Sequence, residues 1–231
     1  MINSFIPWII LILGSYLIGS FPAGYLAGCC CGIDIRLHGS GSIGSTNVVR
    51  VLNKKWGAGV FAIDFLKGLL PVLLATAWGR SVGINPLSAP GAVAALCSLL
   101  GHSFPIWLGF RGGKGIATSA GIIIGMFPGS FLFCIGGWLF FFYLTRYVSI
   151  ASIIAAILLP LSVAIFYLIG RVTTELPSWV QVDWLSVVVA TLMGGLVLWR
   201  HRSNMQRLLA GTELRFGEKA GVQIPSCGGR I

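Results

Sequence analysis

Apolar stretches long enough to cross a bilayer recur from one end of this chain to the other, and that feature alone removes most folds from consideration. A hydrocarbon core of about 30 Å needs roughly 20 apolar residues per crossing helix. Of 231 residues, 56% are hydrophobic and only 10% charged, so nothing remains to build a soluble domain of any size. The chain reads as an all-α polytopic membrane protein, one integral domain over residues 1–231.

Apolar runs and their breakers place seven spans, near 5–30, 57–78, 90–108, 115–127, 129–145, 148–169 and 184–200. The first is read as a spanning helix and not as a signal peptide, because no basic residue precedes Ile6 and no small-residue cleavage signature is clear. The fourth is short for a crossing and meets the fifth through Phe127 to Ser130, the pattern of a tilted or broken helix. The six cysteines, Cys29, Cys30, Cys31, Cys97, Cys134 and Cys227, contain no C-x-x-C pair, and five lie in or beside apolar runs as small hydrophobes. Neither a metal site nor a disulfide frame is expected from them.

The formal charge is +10, yet the 16 basic residues form no clustered stripe of the kind a nucleic-acid surface needs. Their distribution reports topology. Arg36, Arg50, Lys54, Lys55, Arg111, Lys114, Arg146, Arg200, Arg202, Arg207, Arg215, Lys219 and Arg230 fall on one side of the seven-span arrangement. Arg80 and Arg171 alone fall on the other. The positive-inside rule then sets the N-terminus outside and the C-terminus in the cytoplasm. Three polar clusters share that cytoplasmic side.

The first cluster is "HGSGSIGSTNVVR", residues 38–50, with Gly39, Gly41 and Gly44 spaced G-x-G-x-x-G. A dinucleotide site would require a β-α-β unit and an acidic residue about 20 positions on. Asp64 stands near that distance but lies inside a membrane run, so the context fails. A slack linker does not account for Ser40, Ser42, Ser45, Thr46 and Asn47, with Arg50 at helical distance. An anion cradle does: backbone N–H groups exposed by glycines, plus a helix start at Ser45 or Thr46.

The second cluster is "GHSFPIWLGFRGGKGIATSAG", residues 101–121. It is not a Walker loop, since Gly115 follows Lys114 and no glycine stands five residues before Gly113. Anchoring at the interface explains Arg111 and Lys114 but not Gly112, Gly113 and Gly115 around one lysine, which favours phosphate binding. The third, "WRHRSNMQRLLAGTELRFG", puts His201 and Asn204 on one helical face with Arg207 a turn further. His201 is read as a base or a donor to phosphate, Asn204 as an orienting amide, and the same segment also fits an amphipathic helix lying on the membrane. Asp64 and Lys67, three apart within a span, are expected to pair.

With these residues assembled, the chain resembles the PlsY family, the bacterial acyl-phosphate:glycerol-3-phosphate acyltransferases. The likeness is carried by "DIRLHGSGSIGSTNVVRVLNKKWG", "DFLKG", "GHSFPIWLGFRGGKGIATSAG" and "HRSNMQRLLAGTE" in that order. The family's first motif usually reads G-S-G-N-x-G-A-T-N-x-x-R, and this chain departs from it at Ser42 and Ser45. The resemblance implies transfer of a fatty acyl group from acyl phosphate to the 1-hydroxyl of glycerol 3-phosphate, giving lysophosphatidic acid for phospholipid biosynthesis at the bacterial inner membrane. It suggests that Ser40, Thr46, Asn47 and Arg50 contact substrate phosphate, as does Lys114 within its glycines, and that His201 and Asn204 serve the glycerol 3-phosphate side. Together with the cluster reading, the expected substrate-binding set is Ser40, Gly41, Gly44, Thr46, Asn47, Arg50, Arg111, Gly112, Gly113 and Gly115, and the expected catalytic set is Lys114, His201 and Asn204. The implied partners are acyl phosphate, glycerol 3-phosphate, the bilayer and the enzyme that supplies acyl phosphate. No cofactor or metal is implied.

Two other classes remain open on sequence alone. A transporter of phosphorylated metabolites would use similar loops, although no pair of similar halves with matching broken helices is visible. A thioester-dependent acyltransferase would carry H-x-x-x-x-D, but the residues five beyond His38, His102 and His201 are Ile43, Trp107 and Gln206.

Overall fold

A computed structural model describes residues 2–84, 88–173 and 175–218. Lys219, Cys227 and Arg230 lie outside the described residues. The described chain is helical, in the order α1 (Ile2–Ser20), α2 (Ala23–Cys30), α3 (Ser45–Val51), α4 (Lys54–Ser81), α5 (Ser88–Ser103), α6 (Ile116–Met126), α7 (Pro128–Thr145), α8 (Val148–Val172), α9 (Trp184–Arg200) and α10 (Arg202–Leu209).

Five segments are long and apolar enough to cross a membrane: Phe5–Cys30, Lys54–Ser81, Ser88–Leu108, Pro128–Thr145 and Val148–Val172. A sixth is reached when α9 and α10, bent by 49°, are taken together. The seven-span count is therefore refined at α6. Its 11 residues reach only about 16 Å, half of what a crossing needs. Pro128 then opens α7 directly after buried Phe127, and the chain turns back at this "FPGS" junction, so that Ile116 at the start of α6 and Trp138 in the later part of α7 lie on the same wall.

The first span is also broken. Pro22 removes a backbone donor, and the chain is non-helical at Phe21 and Pro22. Lys67, reaching from α4, donates to the Phe21 carbonyl, which also accepts from Ala23 N–H, at 2.9 Å while pairing with Asp64 at 2.8 Å. The expected Asp64–Lys67 pair is thus present, buried, and attached to the break in a neighbouring span. Its carboxylate and ammonium satisfy each other within the helix bundle.

Helices meet closely where small residues face each other, as packing in lipid requires. A side chain at Gly19 or Gly101 would drive into the α1–α5 contact, and one at Gly68 or Gly121 into α4–α6. The main apolar core joins Val72, Leu99, Ile122, Val163 and Met193 from five helices. A second core of Ile35, Ile43, Val48, Val51 and Val60 lies beneath the first glycine loop and fixes it to α4. That loop is a folded element with its own packed underside.

The cysteine reading needs one correction: Cys31 is disulfide-bonded, whereas Cys29, Cys30, Cys97 and Cys134 are free thiols. Spacing along a chain exposes only local partners, while a disulfide needs proximity in space.

Candidate active site

The first glycine loop is organised by Asn47. Its Oδ1 accepts from Ser40 N–H at 2.8 Å, and its Nδ2 faces the carbonyls of Ser42, His38 and Ile35 at 2.8, 3.1 and 3.4 Å. Gly39 and Gly41 turn at φ +60° and +68°, which only glycine adopts without strain. Ser42 Oγ accepts from Gly44 N–H at 3.2 Å, closing the turn from a position where the related motif carries asparagine. Gly44 is the N-cap of α3, which begins at Ser45 as expected. The first turn of that helix faces a cavity of 360 Å³.

Three segments from across the sequence close around this cavity. Its wall includes Ser40, Gly44, Thr46, Asn47 and Arg50 from the first cluster; Lys114 and Gly115 from the second; and His201 and Asn204 from the third. The three polar clusters therefore meet. Arg50 gives one Nη2 hydrogen bond to the Leu214 carbonyl at 2.9 Å, while its Nε is buried without a partner. Burial draws its pKa down from the ordinary arginine value, opposed by the nearby Glu213 carboxylate.

Lys114 is drawn down to about 8, by burial first and then by the positive charge of Arg207. A cation held this way is poorly solvated and strongly attracts a dianion. His201 sits at the bend between α9 and α10, with Nδ1 2.8 Å from the Val197 carbonyl. That contact requires a proton on Nδ1 and leaves Nε2 as the bare acceptor of a neutral ring. Burial brings its pKa down to about 4, so the neutral form prevails near pH 7.

Glu213 is the functional side chain that the sequence reading left without a role. Asn204 Nδ2 donates to its Oε1 and Arg207 Nε to its Oε2, each at 2.7 Å. Burial favours the neutral acid, but these two bonds outweigh it and hold Glu213 below the usual carboxylate range. Asn204 thereby turns a buried, unpartnered Oδ1 to the site. Its visible signal was the "GTE" at the end of the third motif, in a chain with six acidic residues. Ser149 and Ser152, at the start of α8, and Trp138 of α7 also line the cavity. Asp64 and His102 reach it from α4 and α5.

Several expected binders are placed elsewhere. Gly41, Arg111, Gly112 and Gly113 do not line the cavity, and Arg111 is exposed. Gly112 N–H donates to the Ser103 carbonyl at 3.2 Å and Gly113 N–H to that of His102 at 3.1 Å. Those donors, already spent at the end of α5, are not an anion nest. The two residues are glycines because the chain passes directly over His102, whose ring and carbonyl a side chain would strike. Asn47 faces the cavity, but its amide is occupied by the loop, so it builds the site without being free to bind a phosphate.

Below the polar cavity an apolar slot of 220 Å³ runs between α6, α7, α8 and α9. Phe61, Ile116 and Trp138 belong to both walls. Ile123, Phe131, Leu159 and Met193 line the slot farther along its helices. One polar chamber with an adjoining greasy slot suits a molecule with an ionic head and an alkyl tail.

A family model described as glycerol-3-phosphate acyltransferase matches residues 9–211. The chain belongs to that family. It is 45% identical over 212 residues to a glycerol-3-phosphate acyltransferase of Synechococcus sp. (strain CC9902), covering 91% of this chain and 96% of the relative. With the enzyme of that name from Aquifex aeolicus (strain VF5) it shares 40% over 206 residues, 89% and 97% of the two chains. The fold matches crystal structures of PlsY, an integral membrane glycerol 3-phosphate acyltransferase, in its glycerol 3-phosphate form (TM-score 0.77) and its lysophosphatidic acid form (TM-score 0.71). Each is 39% identical and covers 90% of this chain and 95% of the other. Membership makes the chain an enzyme, an acyltransferase of the membrane.

Proposed function

We propose that this chain transfers a fatty acyl group from acyl phosphate to the 1-hydroxyl of sn-glycerol 3-phosphate, releasing lysophosphatidic acid and inorganic phosphate. The single observation that supports this most is that the cation-lined cavity and the apolar slot adjoin, sharing Phe61, Ile116 and Trp138 in their walls. The donor's alkyl chain occupies the slot and its phosphate faces Lys114 and Arg50. The second phosphorylated substrate enters beside Asn204 and His201. On the positive-inside distribution of basic residues the cavity opens to the cytoplasm of a bacterial inner membrane.

Acyl phosphate is already activated, so positioning and charge stabilisation carry the rate. The glycerol oxygen attacks the acyl carbon, the carbon–oxygen bond to phosphate breaks, and phosphate leaves with the electron pair. Lys114 and Arg50 stabilise the charge that grows on it. The hydroxyl proton passes to a phosphate oxygen of the substrates. His201, whose pKa is drawn down to about 4, is a weak base by comparison and serves to orient the hydroxyl through its bare Nε2.

Purified protein assayed with acyl phosphate, acyl-CoA and acyl carrier protein thioester as alternative donors tests the reading. Lysophosphatidic acid and phosphate formed in equal amounts from acyl phosphate is the expected result. Activity with thioesters alone would reject the donor.

A further inference from the structure

Arg200 ends α9 one residue before His201, and the transfer chemistry described above gives it no task. It does not line the cavity. Its Nε donates to the Gly113 carbonyl at 3.0 Å and its Nη2 to the Gly112 carbonyl at 2.6 Å. The guanidinium carbon lies 5.5 Å from the centre of the Phe104 ring and 5.8 Å from that of Trp199. Tyr16 of α1 holds the Phe104 carbonyl from the far side at 2.8 Å. The N–H groups of the same two glycines are bonded to the end of α5. All four polar groups of Gly112 and Gly113 are therefore gripped, the donors by α5 and the acceptors by Arg200.

Two consecutive glycines are the most freely rotating root a side chain can have. Lys114 grows from that root and must still meet its phosphate at a fixed place. The planar guanidinium bonds two adjacent carbonyls while lying against an aromatic face, which a lysine ammonium cannot reproduce. The same residue is covalently joined to His201, so one side chain fixes the spacing between the second and third polar clusters.

We propose that Arg200 is a positioning residue for acyl transfer, strapping the Gly112–Gly113 backbone so that Lys114 enters the cavity in register with His201. This rests on the reading of Lys114 as a phosphate-binding cation. A misplacement on the order of 1 Å is enough to cost about 100-fold in rate.

The test compares Arg200→Gln and Arg200→Lys with Lys114→Ala and with Arg202→Gln, each purified and assayed with acyl phosphate and glycerol 3-phosphate. Arg202 is an exposed neighbour stacked 4.3 Å from Trp199 and serves as the control for loss of one interfacial charge. Arg200→Gln is expected to lower kcat about 10- to 100-fold, more than it raises either KM. Arg200→Lys recovers only part of that loss, and Arg202→Gln stays within about twofold of the parent. Lys114 faces Arg50 from α3, Arg200 and His201 at the end of α9, Arg207 from α10 and Glu213 beyond it. Removing one of these cations and loosening the burial both move Lys114 upward from about 8, so the alkaline limb of kcat/KM shifts to higher pH in Arg200→Gln and not in Arg202→Gln. An Arg200→Gln enzyme with parental kcat and an unshifted limb, beside an inactive Lys114→Ala, overturns the proposal and leaves the Lys114 reading standing. An active Lys114→Ala overturns that reading first, and the proposal with it. Should rates of the Arg200 variants fall only in proportion to the folded fraction seen by thermal unfolding, Arg200 is a packing residue and the proposal also fails.

Discussion

The two glycine-rich loops look alike in sequence and work differently in space. In the first, glycines at φ +60° and +68° form a turn around Asn47 and deliver the opening turn of α3 to the cavity. In the second, Gly112 and Gly113 give their N–H groups to the end of α5 and let the chain pass over His102, and only Lys114 and Gly115 reach the cavity. A glycine near a cation marks an anion cradle only where its N–H has no nearer acceptor. Carbonyls at a helix end are such acceptors.

Five substitutions sharpen or break that contrast, taken from the largest expected effect downward. Lys114→Ala removes the second loop's one charged side chain in the cavity and is expected to lower kcat about 100- to 1,000-fold, measured by steady-state product formation. Asn47→Ala leaves the Ser40 N–H and the facing carbonyls of the first loop without their partner. It is expected to cost about 2–4 kcal/mol, read as a lower unfolding temperature in detergent. Gly113→Ala, which forces a methyl against the His102 ring, costs about 1–3 kcal/mol; Gly41→Ala, in more open space but at positive φ, costs about 1–2 kcal/mol. A Gly41→Ala penalty well above that of Gly113→Ala would reverse the assignment of close packing to the second loop. Arg111→Gln, at an exposed residue outside the cavity, changes kcat/KM by about twofold or less. A large loss there would return Arg111 to the binding set.

His201 adds a prediction in pH. Unfolded histidine takes its proton near 6.5, whereas the folded residue resists until about 4. The unfolded state binds more protons in that interval, so stability falls as pH drops from about 6.5 to 4 and the slope ends below it. Thermal unfolding across that range should show the slope in the parent and a weaker one in His201→Asn.

The spans were legible because lipid solvation leaves so little freedom, and α6 was correctly read as the doubtful one from its length alone. The convergence of Ser40, Thr46, Arg50, Lys114, His201 and Asn204 was also legible, since all three clusters emerge from ends of spans on one side of the arrangement. Three things were not. The demand for a hydrogen-bond partner is visible in sequence, but which partner meets it is decided by tertiary contact, so Asn47 was read as a ligand when it is the loop's internal staple. Glu213 lay nine residues beyond Asn204, past the end of α10, and only the return of the chain brings its carboxylate onto that amide. The Arg200 strap was hidden for the same reason.

The central claim is that both loops serve one pair of phosphorylated reactants in a single cavity. Amine-selective labelling of Lys114, followed by mass spectrometry, tests it directly in the purified protein with and without glycerol 3-phosphate and a non-reactive acyl phosphate analogue. Protection of Lys114 by these ligands, and a higher ligand concentration needed for protection in Arg50→Ala on the opposite loop, is the predicted result. Labelling of Lys114 at the same rate with and without saturating ligands would contradict the account.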